Sequence, residues 1–113
     1  MAQEITVPDA ASLTHGEAAT FRFERDGEQL QGFVLRHGDG LVAYVNRCPH
    51  WYVDLDLGEG KFYAPKVDRI YCANHGALFA IDTGVCERGP CLGMALEKLV
   101  VRADGDAAIV EVP

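Results

Sequence analysis

Long apolar runs are missing from this chain. No stretch approaches the ~18 residues that a membrane-crossing helix requires. The opening residues Met1-Ala2-Gln3-Glu4 lack the basic region and apolar stretch of a secretory signal. A soluble cytoplasmic protein without a membrane partner is expected. Positive charge is also scarce, with 10 Lys and Arg against 17 Asp and Glu and a formal net charge of −7. That balance argues against nucleic acid, and fits either a partner with a basic docking surface or plain solubility. The chain has no Gly-rich dinucleotide fingerprint, so nicotinamide or flavin chemistry belongs on another protein. It offers no spare two-His-one-carboxylate constellation, nor the length, that a mononuclear iron oxygenase domain needs. Helical periodicity is not sustained over ten residues anywhere, which leaves an all-β reading. At 113 residues the chain is one domain, able to bury about two-thirds of its unfolded surface.

What is present is concentrated in two short stretches, Cys48-Pro49-His50 and Cys72-Ala73-Asn74-His75-Gly76. The spacing is C-x-H, then 21 residues, then C-x-x-H. Each pair follows an apolar, strand-like run, Leu41 to Val45 and Ile70-Tyr71, so two strand ends can hold two facing loops. Two thiols and two imidazoles suit a borderline-soft metal. Mononuclear zinc is one reading, although structural zinc arms are usually C-x₂₋₄-C and H-x₃₋₅-H rather than mixed. A binuclear iron–sulfur centre accounts better for the mixture, since one iron can take both thiolates and the other both imidazoles. Zinc protein would be colourless and iron–sulfur protein brown.

Around these stretches the pattern is one of short strands and turns. Phe21 and Phe23 alternate with Arg22 and Glu24, Asp26-Gly27 signals a hairpin, and Leu30 to Leu35 returns. A turn at Asp39-Gly40 leads into Leu41 to Asn46. Val67 to Cys72 and Ala77 to Ile81 flank the second pair. Leu96 to Arg102, a turn at Asp104-Gly105, and Ala107 to Val112 close the chain. Residues 1–17 read as an irregular lead-in or a short edge strand. The whole reads as a sandwich or barrel.

On Cys48-Pro49-His50 and Cys72-x-x-His75-Gly76, followed by Leu78-Phe79, Thr83-Gly84 and Gly89-Pro90, the sequence resembles the Rieske [2Fe–2S] proteins. The resemblance implies an antiparallel β-sandwich over residues 1–113, with a cluster-binding subdomain at about 46–92 inserted in it. It implies that Cys48 and Cys72 bind one iron, His50 and His75 the other, and that Pro90 lies in a third loop covering the cluster. Two features depart from many relatives: the longer segment Asp56 to Pro65, and Trp51-Tyr52 directly after His50. The latter reads equally as packing for that segment and as an apolar collar at a partner interface.

The function implied is one-electron carriage, without catalysis, from a flavin- or NAD-dependent reductase to a terminal oxygenase. The alternative is the small subunit of an NADH-dependent nitrite reductase-like complex. High-potential members of the family carry a bridged pair of extra Cys in the ligand loops, and a Ser and a Tyr that donate to sulfur. Here no Cys lies between His50 and Cys72, Asn74 precedes His75, and the two hydroxyl positions hold Ala77 and Phe79. A potential near the −150 mV end of the roughly −150 to +300 mV Rieske range is therefore expected. Cys86 and Cys91 are expected as buried free thiols rather than a disulfide or ligands, and His15 and His37 as surface residues in turns.

Overall fold

A computed structural model describes residues 3–49, 54–73 and 76–112. Its strands are β1 (Gln3–Val7), β2 (Ala18–Arg25), β3 (Glu28–His37), β4 (Gly40–Val45), β5 (Tyr63–Ala64), β6 (Arg69–Tyr71), β7 (Leu78–Phe79), β8 (Cys86–Arg88), β9 (Lys98–Asp104) and β10 (Ala107–Val112). One 3₁₀ turn, Ala10–Ser12, follows β1. A six-stranded sheet runs β1-β10-β9-β4-β3-β2, and a four-stranded sheet runs β5-β6-β7-β8, every pairing antiparallel. β4 lies beside β9, with Ala43 opposite Leu99. The small sheet is thus an excursion of the chain between two neighbouring strands of the large one.

The run Phe33-Val34-Leu35 does not alternate in polarity because both faces of β3 are covered. Phe33, Leu35 and Tyr44 face one apolar cluster with Leu55, Phe62, Ile70 and Phe79, between the two sheets. Val34, Ala43 and Val45 face a second cluster with Phe21, Phe23, Val110 and Val112. In the first, the Phe33 and Phe62 rings stack with centroids 4.0 Å apart, an arrangement worth ~0.5–1.5 kcal/mol beyond area burial. The buried Tyr44 hydroxyl donates to Ile81 O at 2.7 Å, so the phenol costs no unpaired polar group. In the second, Gly32 admits the Phe21 ring, which would lie 2.3 Å from a Cβ there.

The sequence-level turns hold with small shifts. Arg25 pairs with Glu28, so Asp26-Gly27 forms the tip, both residues at positive φ (53° and 80°), as a primed hairpin turn requires. The second tip is Gly38-Asp39, not Asp39-Gly40, and the third is Gly105-Asp106, not Asp104-Gly105. In both, the glycine takes the first central position at positive φ, 59° and 62°. The lead-in contains a real edge strand, β1. Two strands escaped the sequence reading: β5, inside the long segment after the first arm, and β8, before the third loop. Both are two or three residues long, too short to show alternation.

Candidate metal centre

Cys48 lies three residues beyond β4, and Cys72 directly follows β6. Both thiols are fully buried, and both belong to the cluster between the sheets. The structure places the two predicted thiolate ligands, 24 positions apart in the chain (72 less 48), within one buried apolar cluster. His50, His75 and the Trp51-Tyr52 pair lie outside the described residues.

The loops are fixed by backbone bonds. Asn46 N–H donates to Gln31 O at 2.8 Å, anchoring the first arm on β3. In the second arm Cys72 N–H donates to Ala77 O at 2.9 Å and Gly76 N–H to Cys72 O at 2.8 Å, closing a tight loop with Gly76 at φ 68°. The third loop packs onto it. A Cβ on Gly89, which sits at φ 107°, would lie 2.8 Å from the Ala77 Cα, so only glycine lets the two backbones meet.

A buried polar hub joins the arms, and sequence reasoning missed it. Asn46 and Asp56 are each 3% exposed. Asn46 Nδ2 donates to Asp56 Oδ1 at 3.1 Å and to Gln31 Oε1 at 2.7 Å, while its Oδ1 accepts from Leu55 N–H at 2.8 Å. Asp56 also accepts from Gly58 N–H and Gly60 N–H at 3.2 and 2.8 Å. Leu55 O accepts from Ala73 N–H at 2.8 Å, next to Cys72. Burial raises the Asp56 pKa, but the bonds from Asn46, Gly60 and Gly58 outweigh it and hold the carboxyl below its ordinary value. The available signal was Asp56-x-Gly58-x-Gly60, an Asx-turn pattern.

Cys86 and Cys91 are buried at the third loop. Burial first, then the adjacent Cys86, push the Cys91 thiol up to about 12, so it stays protonated at neutral pH. It donates to Cys86 Sγ at 3.0 Å, and Cys86 Sγ donates to Arg88 O at 3.2 Å.

The sequence reading of His15 and His37 as surface residues holds, with His15 exposed and His37 half-buried at the end of β3. Their rings are 5.1 Å apart and they share partners with Tyr63 and Asp68. The fold thus assembles two His and one carboxylate from positions 15, 37 and 68, which corrects the expectation that no such set is spare: the three come together only through tertiary packing.

A family model described as the Rieske [2Fe–2S] domain matches residues 3–104. The chain belongs to that family, whose members are defined by a [2Fe–2S] cluster. Two solved structures carry the likeness over nearly the whole chain. The ferredoxin of carbazole 1,9a-dioxygenase from Nocardioides aromaticivorans IC177 is 29% identical, with TM-score 0.70 and 95% of each chain covered. A chain from a complex of reduced oxygenase and oxidized ferredoxin in carbazole 1,9a-dioxygenase is 27% identical, with TM-score 0.71, covering 95% of this chain and 91% of that one. A terminal oxygenase from Novosphingobium sp. KA1 shares the fold at 20% identity, TM-score 0.72, over 29% of its own length. No curated protein matches the chain. Two fully buried soft donors at adjoining loops fit the family's cluster. Among the described residues no helix is long and apolar enough to cross a membrane.

Proposed function

We propose that this chain is a cytoplasmic one-electron carrier, a single Rieske domain whose cluster-binding part spans about 46–92. It takes electrons from a flavin- or NAD-dependent reductase and delivers them to a terminal oxygenase. The observation that carries the reading is the burial of Cys48 and Cys72 in one cluster at the ends of β4 and β6, in a chain of the Rieske family. Cys48 and Cys72 hold one iron and His50 and His75 the other. The bound [2Fe–2S] group supplies a reversible one-electron couple. The protein's own part is to fix the loops through Asn46, Asp56 and the Gly89–Ala77 contact, and to keep water from the thiolate side.

Resemblance to the ferredoxin of an oxygenase system supports the oxygenase as electron acceptor. Exposed Leu92 and Met94 in the third loop, with Pro49 beside Met94 on the same cleft, offer the apolar contact that partner recognition needs. The expected potential follows from Ala77 and Phe79, both fully buried and both lacking a hydroxyl donor. Protein-film voltammetry at pH 7 should give a midpoint near −150 mV. Ala77→Ser and Phe79→Tyr should each raise it by adding a donor that stabilises the reduced, more negative state. A midpoint well above zero would contradict delivery to an oxygenase.

A further inference from the structure

We propose that His15, His37 and Asp68 form a second metal site, separate from the cluster, for one borderline divalent ion such as zinc. The three come from the loop before β2, the end of β3 and the turn between β5 and β6. One ligand atom of each lies within 4.8 Å of the other two. Ligands around a tetrahedral zinc, at bonds of about 2.0–2.2 Å, are roughly 3.4 Å apart. Closing the set needs movements on the order of 1 Å in side chains that are exposed (His15, Asp68) or half-buried (His37).

The donor chemistry is specific. Two imidazoles and a carboxylate with open positions suit zinc, nickel or copper(II) and not the oxygen-loving calcium or magnesium. His37 Nε2 is already 2.8 Å from Asp68 Oδ1, and the Tyr63 hydroxyl donates to the same oxygen and lies 3.0 Å from His15 Nε2. The groups are held in place by one another before any ion arrives, which lowers the ordering cost of binding. Clefts of about 390 and 630 Å³ flank the group, the first lined by His37 and Asp68, the second by His15 and Tyr63, so an ion enters freely. Bound there, it clips the turn of the small sheet to the end of the large one.

The hydrogen bonds also give the site a signature. Gly38 N–H donates to His15 Nδ1 at 2.9 Å. If the ion takes Nδ1, it displaces that donor directly. If it takes Nε2, the imidazole proton moves to Nδ1 and turns a donor toward a donor. In either case the Gly38 amide loses its acceptor.

The test uses tag-free protein with its iron–sulfur cluster intact, so that His50 and His75 are occupied, and zinc chloride as the probe. Calorimetric titration should saturate at one zinc per chain with the visible absorbance unchanged. The Gly38 amide resonance of the oxidised protein should move in step with binding. His15→Gln, His37→Gln and Asp68→Asn should each weaken binding at least ~10-fold. Tyr63→Phe, which cuts the same hydrogen-bond network without removing a ligand, should keep it. Zinc binding unaltered in the His15→Gln, His37→Gln double variant would overturn the proposal. So would loss of binding in Tyr63→Phe equal to that in the ligand variants, or uptake only as the visible absorbance bleaches.

Discussion

Cys86 and Cys91 carry thiols into the apolar cluster that holds Cys48 and Cys72, yet their bonds run to each other and to Arg88 O. Their part is packing. The Cys86→Ser, Cys91→Ser double variant should therefore keep the full visible spectrum of the cluster while losing about 1–3 kcal/mol of stability, because hydroxyls replace sulfur in a dry site. A bleached double variant would show that one of the thiols is a ligand. At this scale the candidate thiolates were legible because two Cys–His pairs at C-x-H and C-x-x-H spacing are rare by chance. His15 and His37 were not, because the hairpin and the β5–β6 turn that join them are tertiary events. Local context correctly placed both at the surface and could say nothing about partners 22 and 53 positions away (37 and 68 less 15).

Among the elements, the segment between the arms stood out in the sequence only by its length, and it proves to be a brace between the arms. Leu55 and Asp56 tie Asn46 to Ala73, and Phe62 stacks on Phe33 to seat the small sheet on the large one. The hairpins of the large sheet were legible from alternation and Asp-Gly or Gly-Asp turns. The brace was not, since a buried Asn–Asp pair has no periodic signature. Asp56→Asn should lower the urea midpoint for cluster loss at pH 7, by the equivalent of about 1–3 kcal/mol. The sign with pH follows from the depressed folded-state pKa. The carboxylate's contribution is present above its unfolded value of about 3.9, and disappears as pH falls through the lower folded value. The gap between wild type and Asp56→Asn should thus be constant from pH 7 to about 5 and narrow below about 4. A gap that widens in acid would contradict the assignment.

The whole molecule is acidic, and the described residues tie up several of its cations: Arg25 with Glu97, Arg69 with Glu87, and Arg102 with Glu4 and Glu111. The net charge of −7 comes from 17 Asp and Glu against 10 Lys and Arg. A basic partner would be steered to it. The rate of electron delivery to a terminal oxygenase should fall several-fold as ionic strength rises from about 0.01 to 0.15 M, where the screening length drops from about 30 to 8 Å. A rate indifferent to salt would place the recognition in apolar contacts such as those of exposed Leu92 and Met94 instead. All of these expectations depend on the nature of the centre between the arms, and metal analysis addresses it most directly. Purified chain should contain iron and acid-labile sulfide at about two each, with both lost in Cys48→Ser and His75→Ala. One zinc per chain, without sulfide, would contradict the account.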